Sequence, residues 1–203
     1  MSKIDLDKYY TSSELAKYCV NKTFEILGND WNRIIEPSCG EGVFLQYLPE
    51  TTISYDIEPV LDKTIKADYR LVKLPYEDKS LVIGNPPFGR ANKTSVQFIK
   101  ASLQHSPYIS FIQPISQLDN NRTMKDTELI HSEDLDIQEF SGHKLKTCLN
   151  IYHYLPNGHK LQNYDIEGVE VRHIFRTGSK KHSDAILNDN YDFRIAAWAI
   201  LDY

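Results

Sequence analysis

Leu81-Val82-Ile83-Gly84-Asn85-Pro86-Pro87-Phe88-Gly89 decides how this chain is read. Three apolar residues mark the end of a buried strand. The Asn-Pro-Pro-Phe corner then stops it, because neither proline carries an N–H to extend a ladder. Asn85 precedes a proline and is pushed towards extended geometry at the strand's carboxyl end, the edge where open α/β sheets place their ligands. The corner thus offers an amide, carbonyls that no ladder uses, and an aromatic ring. An exocyclic amine on a nucleobase is a poor nucleophile, since its lone pair is delocalised into the ring. Two acceptors, the Asn85 side-chain oxygen and the Pro86 carbonyl, can draw such a nitrogen towards tetrahedral geometry and stabilise the charge that develops on attack. Phe88 is placed to stack on the base, worth ~1–3 kcal/mol. Asn-Pro-Pro is also a common turn, so the flanking sequence must decide.

Upstream, Arg33-Ile34-Ile35-Glu36-Pro37-Ser38-Cys39-Gly40-Glu41-Gly42-Val43-Phe44-Leu45 reads as a strand, a glycine-containing turn and the start of a helix. Such a turn lets a ligand approach the backbone, and helix amides suit an anionic group. Glu36 at the strand end repels a diphosphate and suits an ammonium. A ligand with both a carboxylate and an amine, such as the methionine end of S-adenosylmethionine, meets both conditions. The next strand, Thr52 to Pro59, ends about twenty residues later at a carboxylate, the spacing of a ribose acceptor. Asp56 is assigned that role, with Glu58 the competitor, and Ile57 is placed against one face of an adenine. Asp68 can take the adenine amine and Tyr69 cover its edge, although a loop aspartate is as readily solvated.

Before these strands, Thr11 or Ser12 is the expected N-cap of a helix, with Glu14 completing a capping box. Leu15 to Leu27 follows at helical spacing and stops at Gly28-Asn29-Asp30. After the corner comes a polar loop, Gly89 to Ser95, and then a helix from Val96 to Leu103. Tyr108 to Pro114 is a buried strand. Asp136 to Phe140 and Cys148 to Leu155 are two more, the second closed by Pro156-Asn157-Gly158. Gly168 to Phe175 and Tyr191 to Leu201 alternate as strands around a basic loop. Residues 1–158 are read as a catalytic domain with an N-terminal helix lining the cofactor site. Residues 159–203 are read as an extension of the same domain and a candidate substrate arm. Arg90, Lys93, Arg122, Arg176 and Lys180 are the candidate phosphate contacts, against the default of solvated charges.

The chain has 203 residues, 41% of them hydrophobic, and a net charge of −5. That is enough for one sizeable core and argues against a generally basic nucleic-acid binder. Cys19, Cys39 and Cys148 form no C-x-x-C pair, and the seven histidines show no H-x-x-x-H spacing, so no metal is expected. No apolar run approaches the ~20 residues of a membrane span, and a cytoplasmic protein is expected.

Tyr10-Thr11, Glu36-Pro37-Ser38-Cys39-Gly40-Glu41-Gly42, Asp56-Ile57-Glu58-Pro59, Ala67-Asp68-Tyr69 and Asn85-Pro86-Pro87-Phe88 together resemble the S-adenosylmethionine-dependent N6-adenine methyltransferases, in the order that puts the cofactor motif first. The resemblance covers residues 8–155. It implies an α/β, Rossmann-like class I methyltransferase fold: a seven-stranded mixed sheet with helices on both faces and one antiparallel strand near an edge. It implies that Tyr10, Thr11, Glu36, Pro37, Ser38, Cys39, Gly40, Asp56, Ile57, Asp68, Tyr69 and Asn85 bind S-adenosylmethionine, and that Asn85, Pro86 and Phe88 hold the target base. Tyr69 stands where the family usually has phenylalanine. About 45 residues after Gly158 leave little room for a target-recognition domain, which points to loops, a partner subunit or a structured substrate for specificity. DNA adenine methylation, of restriction–modification or phage type, is the first reading. Adenine methylation of ribosomal RNA is the second. Glutamine methylation of a protein is disfavoured by Phe88, and a degenerate cofactor-binding subunit is disfavoured by the intact Asn85.

Overall fold

A computed structural model describes residues 11–120, 126–140 and 143–155. The chain divides into two compact units, Met1–Gln162 and Asn163–Tyr203, and every described residue belongs to the first. The boundary expected at residue 158, the Pro156-Asn157-Gly158 turn, the strands expected after Gly168, and Tyr10, Arg122, Arg176 and Lys180 all lie outside the described residues.

Helix α1 (Ser13–Leu27) begins at Ser12, whose hydroxyl accepts from the Leu15 amide at 3.2 Å. Of the two expected caps the structure uses Ser12. Glu14 therefore falls at the second helical position, and the expected capping box is absent. The helix ends at Gly28, φ 81°, whose N–H donates to the Phe24 carbonyl, a left-handed exit that glycine makes without a Cβ penalty. Its buried face is Leu15, Ala16, Cys19, Val20 and Thr23.

The strands are β1 (Arg33–Glu36), β2 (Ile53–Asp56), β3 (Ile65–Lys66), β4 (Ser80–Gly84), β5 (Tyr108–Pro114), β6 (Thr127–Phe140) and β7 (His143–Tyr154). They form one seven-stranded sheet in the order β3-β2-β1-β4-β5-β7-β6. The first five are parallel. Strand β7 runs antiparallel to both β5 and β6, which is the expected reversed strand near an edge. Period-two alternation sorts the core into two layers. Ile34, Leu81, Ile83 and Ile112 face α1 with Ala16 and Val20. Ile35, Val82, Ile109 and Phe111 face helix α2 (Lys93–Ser102) with Phe98 and Ile99. Thr23 pins α1 to the sheet through Ser110, hydroxyl to hydroxyl at 2.7 Å.

The structure corrects several boundaries. The helix expected to begin at the end of the Arg33–Leu45 stretch is a single 3-10 turn, Phe44–Gln46. The strand expected at Asp136–Phe140 extends back to Thr127, with register shifts at Leu129/His131 and Asp134/Ile137. Each shift inserts a residue and flips the alternation, which hides the strand from a period-two reading. Strand β3 is two exposed residues long and was not expected.

Candidate active site

The strand order reverses between β1 and β4, so the carboxyl ends of these two strands flank the crevice where doubly wound sheets bind ligands. A cavity of about 50 Å³ lies there, lined by Thr11, Ser38, Cys39, Gly40, Phe44 and Asn85. A larger groove of about 440 Å³ opens at the opposite end of the sheet, between Trp31, Tyr108 and His153. None of the motif residues Glu36, Asp56, Asp68 or Asn85 lines it, whereas Asn85 lines the smaller site.

Asn85 sits directly after β4, held out by Pro86. Its Nδ2 donates to Thr11 Oγ1 at 3.0 Å, and its backbone carbonyl accepts from Ser38 Oγ at 3.3 Å. The first bond fixes which way the amide faces. Asn85 Oδ1 is buried with no hydrogen-bond partner. An unpaired acceptor out of water costs ~1–3 kcal/mol, and here it is oriented by its own amide partner. Thr11 was expected to line the cofactor site, and the structure shows it orienting Asn85. A single sequence carries no signal for that contact.

Glu36, at the end of β1, is 1% exposed. Its Oε1 accepts from the Ser38 amide at 3.3 Å, and Oε2 has no hydrogen-bond partner. Burial pushes its carboxyl up to about 8. The Asp56 charge adds to the rise, while the Ser38 amide and the nearby Cys39 thiol oppose it. Gly84 leaves room for this group, since a Cβ there would lie 2.6 Å from Glu36 Oε1. The native state therefore holds a proton that the unfolded chain releases above pH 4.5. Stability referable to Glu36 falls as pH rises from 4.5 to about 8. Glu36→Gln is expected to melt higher than the wild type at alkaline pH, with the gain vanishing near pH 4.5, as thermal denaturation across pH will show.

Asp56 closes the glycine turn. Its Oδ2 accepts from the Gly40 amide and its Oδ1 from the Glu58 amide, both at 2.8 Å. Ile57 is exposed beside it, open to a planar ligand. Pro37 and Cys39 are buried, and burial pushes the Cys39 thiol up to about 11. Glu41 and Val43 also line the cavity, and sequence reasoning did not assign them.

Three assignments meet a different environment from the one expected. Tyr69 is 1% exposed; its hydroxyl bonds Ser102 Oγ and His105 Nε2, and its ring stacks on Phe98 at 5.8 Å. It packs the α2 layer instead of presenting its ring to a ligand, because a hydroxyl at this position finds buried partners that phenylalanine could not use. Asp68 takes the Arg70 guanidinium, at 2.8 Å from Nε to Oδ1 and 2.7 Å from Nη2 to Oδ2. That partner holds its carboxyl below the usual range. Phe88 is 8% exposed within the α1 layer, in the same cluster as Leu135 and Phe140. Arg90 is exposed in the segment beyond the corner, and Lys93 is exposed at the first residue of α2. Among the described residues no cluster of histidine, cysteine or carboxylate side chains could hold a metal ion, and no helix is long and apolar enough to cross a membrane.

No family model matches the chain. One curated relative, the rRNA N(6)-adenosine-methyltransferase metl-5 of Caenorhabditis elegans, is 28% identical over 130 residues. The match spans 50% of this chain and 59% of that protein's length. A putative RNA methyltransferase from Pyrococcus horikoshii superposes with a TM-score of 0.60 at 14% identity, covering 76% of this chain and 91% of that one. The 23S rRNA methyltransferase ErmE gives 0.55 at 14% identity, over 73% and 70% of the two chains. The M protein of the type I restriction enzyme EcoKI gives 0.53 at 15% identity, over 75% and 45%. These likenesses, with the sheet order above, show a Rossmann-like class I methyltransferase fold: a seven-stranded mixed sheet with α1 on one face and α2 on the other.

Proposed function

We propose that this protein transfers a methyl group from S-adenosylmethionine to the N6 amine of adenine in nucleic acid. The observation that carries the reading is Asn85 Oδ1, buried, unpartnered and oriented by Thr11 at the switch point of the sheet. A base amine donating to it and to the Pro86 carbonyl satisfies the orphaned acceptor and has its lone pair localised in the same act. The cofactor fits the residues present: the unpaired Oε2 of buried Glu36 suits its ammonium, and the exposed Ile57 its adenine. When bound, S-adenosylmethionine supplies an electrophilic sulfonium methyl group. Glu36 gives up its proton to pair with the ammonium, so cofactor affinity rises with pH towards about 8. Asp56 offers its remaining lone pairs to the ribose hydroxyls. Asp68 can serve the adenine amine only by sharing its carboxylate with Arg70.

Between substrates, the sequence reading put DNA first. The rRNA adenosine methyltransferase among the relatives supports structured RNA as the substrate to test first. The M protein among the fold neighbours keeps duplex DNA in view, as well as a partner subunit for target recognition. Labelled methyl transfer to ribosomal RNA, duplex DNA and a peptide release factor, run side by side, tests the reading. Label on N6 of adenine in RNA is expected. Label on glutamine, or none on any substrate, would overturn the adenine assignment.

A further inference from the structure

Asn92 carries an amide to which the fold gives no partner. The residue is 8% exposed, and neither its Oδ1 nor its Nδ2 has a hydrogen-bond partner. Its backbone is left-handed, φ 60°, as is that of Ala91, φ 51°, two residues after Gly89 at φ 68°. Consecutive non-glycine residues in this region are strained, alanine more than asparagine. The segment nevertheless closes tightly on the corner. The Asn92 backbone N–H donates to the Gly89 carbonyl at 3.3 Å, and the Thr94 and Ser95 backbone N–H groups donate to the Phe88 carbonyl at 3.2 and 3.3 Å. Beyond it the chain is fixed, because Gln113 Nε2 donates to Ser95 Oγ at 3.1 Å. Stored backbone strain and an orphaned buried amide thus fall within the same four residues, immediately after the Asn-Pro-Pro-Phe corner. Outliers of this kind concentrate at ligand clamps, where a bound group relieves them.

We propose that Asn92 is a substrate-contacting residue that recognises the target base. Substrate engagement turns the Asn92 amide onto a hydrogen-bonding edge of the base held at Asn85, while exposed Arg90 and Lys93 follow the flanking phosphates. The chemistry suits an adenine: with both amine hydrogens taken by Asn85 Oδ1 and the Pro86 carbonyl, the Asn92 Nδ2 is a donor for a ring nitrogen of the same base. This inference rests on the adenine reading above.

The test compares wild type, Asn92→Gly and Ala91→Gly on an adenine-containing RNA that the wild type methylates, reading KM, kcat, cofactor Kd and Tm. Asn92→Gly removes both the orphaned amide and the strain. Its Tm is expected to rise, with KM for the RNA at least tenfold higher and cofactor Kd unchanged. Ala91→Gly keeps the amide and relaxes the free loop, so Tm rises and KM increases a few-fold with kcat retained. A wild-type KM in Asn92→Gly, or a Tm that falls together with cofactor affinity, would overturn the assignment. A wild type that transfers nothing to adenine overturns both readings, whereas a wild type that does, beside an equally active Asn92→Gly, overturns only this one.

Discussion

Asn85→Ala is expected to lower methyl transfer by about 10²–10³-fold, the usual effect of removing one preorganised group that acts on developing charge. Cofactor affinity should be retained, because Asn85 Oδ1 has no partner within the protein and acts when the amine becomes positive. The fold should tolerate the change. The Pro86-Pro87 corner keeps the backbone in place, and the lost bond to Thr11 is a single part-buried contact, worth ~0.5–1.5 kcal/mol. Single-turnover rates beside calorimetric cofactor binding separate the two quantities. Equal loss of both would make the corner a structural turn. Thr11→Val keeps the acceptor and removes what orients it, so an intermediate loss in rate with an unchanged cofactor Kd is the accompanying expectation.

Asp56→Ala should act in the opposite sense, on binding before rate. The carboxylate holds the Gly40 amide at one oxygen and the Glu58 amide at the other. Its loss therefore removes the ribose acceptor and also loosens the glycine turn beneath the methionine end of the site. With ~1.5–3 kcal/mol for a hydrogen bond to a charged group, cofactor affinity should fall by roughly 10- to 100-fold. At saturating cofactor, kcat should recover most of its value, since Asp56 touches neither the amine nor the transferred methyl. An unchanged cofactor Kd would remove Asp56 from the site and leave Glu58 as the candidate.

The parts of this fold that follow local rules could be read from the residues alone. The β4 strand, its proline stop and the α1 face from Leu15 to Thr23 each combine one clear period with an unambiguous terminator. The acidic strand ends Glu36 and Asp56 also emerge where expected, because strand order and strand polarity place them at one edge. What escaped the sequence was non-local. The orientation of Asn85 depends on a hydroxyl 74 positions earlier. Tyr69 turns inward because Ser102 and His105, from α2 and the turn after it, offer its hydroxyl buried partners. Asp68 is paired by a neighbour, Arg70, that a motif comparison would skip. Of the 14-residue β6 only the end, Asp136–Phe140, was legible, and the rest was missed for a local reason: its bulges break the alternation, and its charged residues read as loop. Asn92 looked like one more polar loop residue, since left-handed backbone and lost partners leave no mark on composition.

The pairing pattern carries a consequence for how the molecule is assembled. Strands β6 and β7 are neighbours in sequence, with Phe140 opposite His143, so closing that ribbon costs little chain entropy, and ribbons of this kind zip in ~1–10 μs. Juxtaposing β1 and β4, by contrast, brings Ile34 beside Leu81 across an intervening segment that holds β2 and β3, a slower search in which the sheet's apolar centre stays exposed. The crevice proposed for the chemistry lies between these two strands. Asn85 and Glu36 thus depend on the pairing that is long-range in sequence, while the ribbon at the far edge is held by contacts local in sequence.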